Sequence, residues 1–456
     1  MDTNMADFMV LEGINDEEDM AADDELYATQ ASAALLILGA EAGRVLRNER
    51  RNQTRTYLCR PQLPPNPRAG TAWITLFTSR NDRAYITTMG FDVETFELIV
   101  TSGFGARWYS QPIRRADAAP SGNPRPGARS LDAWGALGLV LHYLNSTMSE
   151  ISLQQIFGLI PTTVSRYIRF GLTNLRDTLR EMKDAAIRWP RTDGEFKDLN
   201  NLVIVRHPLL VGAFGGIDGL NLPTETSDNP DIENATYNGW LSEHFISSVL
   251  AFSSEGTLWY MLIFIQLLTR QKISGVIIDV NTNAPGSWHD SRVAQPMYEK
   301  LLTKTPDGFY LVADTAFPRG SLDIAGRIEA PIKHGETFRG TVRAIDDRFD
   351  FDQQLLSYRQ TAEWGMRSIQ GSFGRLRLPL PINDEDFRIE LLESVFRLHN
   401  LRTRRIGYNQ IRTVYMPEWR KTAEADDIWL HFESMLFSDQ IKNDRVSRYH
   451  VFPEYQ

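Results

Sequence analysis

Three acidic side chains stand in surroundings that suit metal-dependent chemistry. Asp218 ends a predicted strand, residues 211–217, whose glycines permit a close backbone approach. Asp314 ends a second predicted strand, residues 309–313, and Glu363 lies in an otherwise basic predicted helix. Carboxylates that converge from two strand ends and one helix form a hard-oxygen site suited to Mg²⁺, which leaves its other positions to water and phosphate.

Two such ions would support nuclease or strand-transfer chemistry. They activate a water or a strand-end 3′-hydroxyl, and they neutralise charge on the leaving oxygen of an in-line phosphoryl displacement. Taken singly, each acid also has a structural alternative: Asp218 caps a turn, Asp314 caps a helix N-terminus, and Glu363 pairs with Arg359 or Arg367. The residues alone leave both interpretations open.

Basic side chains are expected to line a path for DNA. Those nearest the third acid are Arg359, Arg367, Arg375 and Arg377. Arginine suits bidentate phosphate contacts better than lysine does. Five more arginines and no acidic residue lie in residues 394–417. A solvated basic face is the alternative for this second group.

The spacing of apolar residues predicts the strands and helices that must hold these side chains. Short runs rich in Val, Ile, Phe and Tyr predict five strands: residues 211–217, residues 245–252, a third that follows the turn Ser254-Glu255-Gly256, residues 309–313 and residues 327–332. Helical patterns lie at residues 291–302, 357–372 and 386–405. Consecutive strands followed by alternating helices predict an α/β or α+β domain with a mixed sheet flanked by helices.

An all-α region, residues 131–195, precedes the strands. Two predicted helices, a tight turn at residues 158–161 and a third helix from about Thr162 follow one another. On the third helix apolar residues recur at helical spacing, whereas Arg166 and Arg169 point elsewhere. This is helix-turn-helix spacing, in which the third helix enters a DNA major groove, and a three-helix packing unit is the alternative.

The composition is that of an intracellular globular protein. The 456-residue chain is 42% hydrophobic and 23% charged, with a formal net charge of −9. Ten of the acidic residues lie in residues 1–26, which hold no Lys or Arg, so the rest of the chain is close to neutral. The single cysteine, Cys59, excludes an internal disulfide and a cysteine-based zinc site. Neither a membrane span nor secretion is expected.

These patterns divide the chain into five predicted parts. They are an acidic disordered tail (1–30), a basic region with short helices and a Pro/Gly/Arg loop (31–130), the helix-turn-helix region (131–195), the strand-rich domain (200–410) and a C-terminal extension (411–456). The tail cannot bury enough apolar surface to offset its ordering entropy. The arginine-rich loop is either a linker or a segment that tracks phosphates.

Five motifs resemble those of one family of transposases. The run NAPGSWHDSR, from Asn283 to Arg292, looks like the PGSxHDSR signature of PIF/Harbinger-type transposases. The other four also stand in the family's order: Tyr237-Asn238-Gly239-Trp240, the ADTAFP box at residues 313–318, the Glu363 helix ending Phe373-Gly374-Arg375-Leu376, and Leu398-His399-Asn400. The resemblance covers about residues 200–405.

The resemblance implies an RNase H-like fold and a catalytic triad that falls on Asp218, Asp314 and Glu363. It implies two Mg²⁺ or Mn²⁺ ions held by this triad. The expected partners are double-stranded DNA, as terminal inverted repeats and as target, a separate Myb/SANT-like accessory protein, and a second copy in a homodimer. The expected location is the nucleus, or the cytoplasm without that accessory protein.

Two residues of the signature motif are expected to support the site. His289 and Asp290 open the helix after the third strand, and Asp290 is well placed to cap its N-terminus. We expect both to buttress the metal ligands, with Asp290 the next candidate ligand after the triad. His399, alone on an apolar helix, is expected to be an interior residue.

One segment departs from the family's pattern. Roughly 19 extra residues, about 257–275, follow the turn Glu255-Gly256 and read TLWYMLIFIQLLTRQKISG. Their removal would join the turn to residues 276–279 as a continuous hairpin. We interpret the segment as a retained intron or a degenerate insertion, and sequencing of the spliced transcript tests this; a transcript that encodes it in full excludes the intron.

The leading interpretation is a cut-and-paste transposase that nicks DNA at terminal inverted repeats and joins 3′-hydroxyl ends to target DNA. The alternative is a domesticated, non-cutting DNA-binding or adaptor protein derived from such an enzyme. A metal-dependent nuclease without end joining shares the same site. The intact triad favours an enzyme, whereas the inserted segment favours the adaptor.

Overall fold

The computed structural model describes residues 26–47, 49–50, 62–113, 122–239, 241–253, 275–317, 324–332 and 341–406. The chain separates into two compact units, Met1–Gln62 and Leu63–Gln456. In the first unit, residues 26–47 form helix α1, on which Leu35 to Leu38 are exposed. No helix within the described ranges is long and apolar enough to cross a membrane.

The first half of the second unit is helical. Its helices are α2 (Ala72–Ser79), α3 (Asp82–Met89), α4 (Val93–Ile99), α5 (Gly105–Ser110), α6 (Ala133–Asn145), α7 (Glu150–Phe157), α8 (Pro161–Glu181) and α9 (Asp193–Ile204). Several begin at a capping side chain: Asn81, Asp92 and Asp132 each accept a hydrogen bond from the backbone N–H three residues later. These caps satisfy amide groups that the helix leaves without partners.

Helix α6 is buried along most of its length and packs against a cluster of aromatic rings. Trp73 of α2 stacks on Phe157 of α7 with ring centroids 5.3 Å apart, and its edge meets His142 of α6. Gly138 faces the same indole, where a Cβ would lie 2.3 Å from the ring. Position 138 therefore requires glycine, since a methyl group would overlap Trp73.

Helices α7 and α8 meet at the predicted tight turn. Gly158 ends α7 in the left-handed region with φ +63°, and Pro161 begins α8, where its missing N–H leaves no bond unmade. The apolar positions of α8 that the spacing selects are buried: Val164, Ile168, Leu172 and Leu175. The predicted inner face of this helix is confirmed.

A six-stranded mixed sheet forms the core of the second half in the part of the chain that the structure describes. The strands are β1 (Ala213–Pro223), β2 (Tyr237–Asn238), β3 (Glu243–Ser253), β4 (Val276–Pro285), β5 (Tyr310–Val312) and β6 (Ile328–Glu329). Strand β3 pairs antiparallel with β1, β2 and β4, whereas β5 pairs parallel with β1 and with β6. The predicted α/β class with a mixed sheet is confirmed.

Helices cover both faces of this sheet. They are α10 (Pro230–Thr236), α11 (Asp290–Val293), α12 (Gln295–Thr303), α13 (Val342–Ser372) and α14 (Glu385–Arg405), together with α9. Successive residues of β3 point to opposite faces. Leu250 and Phe252 therefore join the core that contains α13 and α14, and Val249 and Ala251 join the core that contains α9 and α12.

The pairing between strands β3 and β4 extends as far as the two ends of the inserted segment. Their last paired residues are Ser253 and Val276. Residues 254–274, which include nearly all of the proposed insertion, lie outside the described residues. The two strands that bracket the segment are thus hydrogen-bonded neighbours, as a hairpin requires.

Three predicted boundaries are wrong. Asp218 does not end its strand, because β1 continues to Pro223 while its partner β3 extends as far. The helix predicted at 291–302 is two helices, α11 and α12, since Pro296 stands at the start of α12 and lacks the N–H that a continuous helix would use. Helix α13 begins at Val342, well before the predicted residue 357.

Candidate active site

The three predicted acids come from elements that the sheet brings together. Strands β1 and β5 run parallel with Gly216 opposite Val312, so Asp218, within β1, and Asp314, just after β5, each lie two residues further on and next to each other. Helix α13 lies against the same place, because a Cβ on Gly216 would lie 3.4 Å from the Cβ of Ala362. Glu363 is the next residue of that helix, so all three carboxylates converge.

An arginine lies among these carboxylates. Arg359 stands one helical turn before Glu363, so the two side chains share a face of α13. Its Nη1 atom is 3.0 Å from Oδ1 of Asp314, and its Nη2 atom contacts Oε1 of Glu363. The guanidinium is 17% exposed and links the two acids. The structural alternative for Glu363, an ion pair with Arg359, is therefore present.

The electrostatics of Asp218 differ from those of an ordinary aspartate. Burial raises its pKa to about 7. The Gly219 N–H, which donates to Oδ1 at 2.9 Å, and the charge of Arg359 oppose this rise, whereas Glu363 and Asp314 add to it. Burial also opposes the charge on Arg359, but the three acids outweigh it and raise the pKa of the guanidinium. The site thus carries more negative charge than its arginine neutralises.

The raised pKa of Asp218 predicts a pH-dependent destabilisation of the metal-free protein. The folded chain retains this proton up to about pH 7, whereas an ordinary Asp loses it near 3.8. Ionisation therefore costs folding free energy that grows as the pH rises across this window and is complete above it. Asp218→Asn should raise the melting temperature in EDTA by several degrees at pH 8 and by less at pH 5.

Thermal melts of both proteins at the two pH values measure the effect. A difference that does not change with pH would contradict the assigned burial of Asp218. Asp307→Asn is the control, because the Asp307 side chain is fully exposed and its replacement should show no such pH trend.

A fourth carboxylate borders the three. The side chain of Asp290 lies against Gly219, where a Cβ would be only 2.5 Å from Oδ2 of Asp290. Burial raises the pKa of Asp290, His289 opposes this rise, and Asp314 adds to it. Glycine at 219 therefore lets a carboxylate approach the backbone beside Asp218, a contact that the sequence patterns do not predict.

His289, not Asp290, caps helix α11. Its Nδ1 atom accepts a hydrogen bond from the Ser291 N–H at 3.4 Å. The predicted capping role of Asp290 is wrong, because its carboxylate is packed on Gly219 and lies within the electrostatic reach of Asp314. Asp290 is thus placed with the acids, and His289 is exposed beside them.

The donor set fits a hard divalent cation in its chemistry. It consists of carboxylates in negative excess, one of which, Asp218, has its pKa raised to about 7 by burial. Within the described ranges, no group of three or more His, Cys, Asp or Glu is already spaced to hold a metal ion. Arg359 lies between Asp314 and Glu363 and contacts both, which contributes to the separation of these two acids.

A groove of about 630 Å³ lies along β4 and α11, the helix that begins at Asp290. Trp288 and Arg292 line it, and the Arg292 guanidinium lies 3.9 Å from the centroid of the exposed indole. Both residues belong to the signature motif, although the motif alone predicts no role for them. An exposed aromatic next to arginine at a motif position is the signal that could have found them.

The predicted DNA-binding arginines differ in how they are engaged. Arg367 is exposed on α13, and Arg377, also exposed, donates to the Gly371 carbonyl at 3.3 Å. Arg375 lies over the Tyr143 ring. On α8, Arg166 donates to the Thr162 carbonyl, whereas Arg169 pairs with Asp384 and lies over Phe387. Arg169 and Arg375 thus hold parts of the chain together.

The Leu398-His399-Asn400 motif is interior. His399 is 2% exposed, its Nε2 atom is 3.2 Å from the Gly275 carbonyl, and burial lowers its pKa to about 4. Asn400 is fully buried; its Oδ1 accepts from the Ile277 N–H and its Nδ2 donates to the carbonyls of Ile277 and Ala186. Asn400 therefore clamps strand β4 to helix α14.

Comparison with known proteins agrees with this geometry. A family model described as DDE superfamily endonuclease matches residues 217–400. The matched span begins one residue before Asp218, contains Asp314 and Glu363, and ends at Asn400. Neither a curated protein nor a solved structure matches the chain.

The match makes this part of the chain similar to the DDE superfamily endonucleases. The mixed sheet flanked by helices is consistent with a DDE nuclease fold. Enzymes of that superfamily generally use divalent metal ions and act on DNA. A transposase or endonuclease function is therefore suggested for the domain.

Proposed function

We propose that this protein is a cut-and-paste DNA transposase whose endonuclease site consists of Asp218, Asp314 and Glu363. The observation that carries the proposal is the parallel register of β1 and β5, which sets Asp218 beside Asp314 at the point where α13 presents Glu363. The reaction is hydrolysis of a phosphodiester at a transposon end, followed by transfer of the freed 3′-hydroxyl to target DNA.

The three carboxylates would hold two Mg²⁺ or Mn²⁺ ions. When bound, the ions supply charge neutralisation and nucleophile activation for in-line displacement at phosphorus. Groups of the chain itself orient the three carboxylates. The Gly219 N–H donates to Asp218, and the Thr315 N–H and Arg359 donate to Asp314. The position of Glu363 is fixed by helix α13. Asp290 contributes further negative charge at the Asp218 side, and we place it and His289 as supporting residues.

Several finer features belong to the same proposal. The strand order β4-β3-β1-β5-β6, with the first three antiparallel and the last two parallel to β1, supports an RNase H-like fold. The five ordered motifs support the PIF/Harbinger type. Helices α6 to α8 would form the DNA-binding helix-turn-helix region, with Arg166 half-buried on its third helix. We also propose that the protein acts in the nucleus as a homodimer, together with a Myb/SANT-like accessory protein.

The path of the DNA would follow exposed arginines near the acids. Arg367 and Arg377 are exposed at and beyond the end of α13, and Arg292 is exposed in the groove next to Asp290. Phosphate contacts of this kind give affinity that falls steeply with salt concentration. Arg169 and Arg375 contribute less to this path than the sequence suggests, because their guanidinium groups already contact other parts of the chain.

One observation favours a second candidate, a non-cutting DNA-binding or adaptor protein. Arg359 already neutralises part of the acidic cluster, and in the described part of the chain no three acids are spaced for a metal. A chain that had abandoned metal chemistry could retain such a salt-bridged site as a structural feature.

The test uses the full-length protein and the terminal inverted repeats found in the genomic DNA that flanks its gene. Cleavage and joining are followed on labelled ends with Mg²⁺, with Mn²⁺ and with EDTA. Metal-dependent cutting with strand transfer supports the transposase, and cutting without transfer supports a nuclease. Sequence-specific binding without any cutting would replace both with the adaptor.

A further inference from the structure

The side chain of Arg359 stands where a cation bound by the three acids would stand. Its guanidinium contacts Asp314 and Glu363 at once, and its charge also acts on Asp218. The three acids come from three different elements, and one guanidinium contacts two of them and lies within electrostatic reach of the third. A side chain that merely paired with its helical neighbour Glu363 would not also bridge to the end of β5.

We infer that Arg359 occupies the metal site in the metal-free protein: it links the carboxylates of Asp314 and Glu363 beside Asp218, and it must leave them when divalent ions enter. The inference rests on the proposed function, since it assumes that the acids bind metal. It explains why no three acids are spaced for a metal in this structure, within the residues it describes.

Charge repulsion opposes joint occupation of the acids by the guanidinium and a divalent ion. Mg²⁺ binds carboxylate oxygens at about 2.0–2.1 Å, closer than the 3.0 Å that separates Arg359 Nη1 from Asp314 Oδ1. An ion on the same oxygens would bring its charge against the guanidinium inside a half-buried site, where such repulsion is poorly screened. Arginine has a long, flexible stem, so it can swing away while the helix stays in place.

The displaced guanidinium would remain close to the reaction. Arg359 lies one helical turn before Glu363, so its side chain can leave the acids and still remain close to them. Arginine suits bidentate phosphate contacts. Metal entry would thereby free a DNA-binding group, and the same residue would serve both states of the site.

Metal affinity of the full-length protein is the direct test. Binding of Mn²⁺ is measured by calorimetry for the wild type, Arg359→Gln, Arg359→Lys and Arg367→Gln. Arg359→Gln should bind Mn²⁺ roughly tenfold more tightly than the wild type, because the competitor is gone. Arg359→Lys should stay near the wild type. Arg367→Gln removes an equal charge from an exposed position on the same helix and should change affinity less than about twofold.

The direction of the change in Mn²⁺ affinity distinguishes the possible roles of Arg359. If Arg359 were only a structural link, its loss would loosen the carboxylates, and Arg359→Gln would bind Mn²⁺ equally or more weakly; that result overturns the inference and leaves the proposed function intact. Mn²⁺ binding by Arg359→Gln alone would support the inference. Absence of binding in all four proteins would overturn the proposed function together with the inference.

A second measurement uses the unaltered protein, so it does not depend on a variant folding. An arginine-specific dicarbonyl reagent is applied in EDTA and in saturating Ca²⁺, and modification of each arginine is read by mass spectrometry. Arg359 should react severalfold faster with Ca²⁺, because the ion expels it from the acids, while Arg367 should react at one rate in both. Equal or slower reaction of Arg359 with Ca²⁺ would refute its displacement.

Discussion

Replacement of Asp314 with asparagine is expected to lower the rate of metal-dependent DNA cleavage by at least about a thousandfold. Loss of one preorganised electrostatic group in an enzyme site typically costs about 10²–10³ in rate, and Asp314 would bind the ions directly. It also pairs with Arg359 at 3.0 Å, so the substitution removes the link that joins the end of β5 to α13.

Asp307→Asn is the matched control for this experiment. Asp307 also pairs with an arginine, Arg327, but its side chain is fully exposed and lies at the other end of β5. Cleavage by this variant should equal that of the wild type. DNA affinity, measured in parallel by fluorescence anisotropy, should be similar for all three proteins. Equal cleavage rates of wild type and Asp314→Asn would remove Asp314 from the catalytic site.

Replacement of Asn400 with leucine is expected to lower the free energy of unfolding by about 3 kcal/mol or more. Its amide satisfies the N–H and C=O of Ile277 and the C=O of Ala186, all on strand β4 or on the segment before α9. Leucine has a similar size but removes the side-chain partner of the Ile277 N–H and C=O, whereas the Ala186 C=O keeps its bond from Arg404. Each buried group left without a partner costs about 1–3 kcal/mol.

Chemical denaturation of both proteins, with far-UV circular dichroism as the probe, gives the free energies. Asn383→Leu is the control, because Asn383 is exposed in the turn before α14 and surface changes are usually within about 0.5 kcal/mol. A loss below about 1 kcal/mol for Asn400→Leu would mean that water replaces the lost hydrogen bonds, and that Asn400 is not a clamp.

Much of the fold follows from local patterns in the sequence. The strands of the sheet have the Val, Ile and Phe content of buried segments, and the turn at Gly158 and Pro161 has the residues that such a turn needs. Asp218, Asp314 and Glu363 could be identified as candidate catalytic residues because the motifs around them follow the order typical of the family they resemble. The convergence of Asp218 and Asp314 follows from topology, since β1 and β5 are parallel neighbours that place residues at equivalent register positions side by side.

The contacts that a sequence pattern does not encode are those between distant elements. The end of β1 was misplaced because Asp218 looks like a strand end, whereas the pairing with β3 carries the strand on to Pro223. The contact of Asp290 with Gly219 and the bridge from Arg359 to Asp314 join residues far apart in the chain. Only the assembled sheet and helices bring these groups within reach.

The terminal pair of the hairpin, Ser253 and Val276, has a consequence for the evolution of the chain. Because the two strands end as hydrogen-bonded neighbours, whatever joins them enters and leaves the sheet at nearly one point. Closing a loop costs free energy that grows only with the logarithm of its length, so a tenfold longer connection costs only about 2 kcal/mol. The connection between β3 and β4 therefore tolerates insertions. Residues can be gained, lost or exchanged there while the register of the two strands and the positions of the three acids stay unchanged.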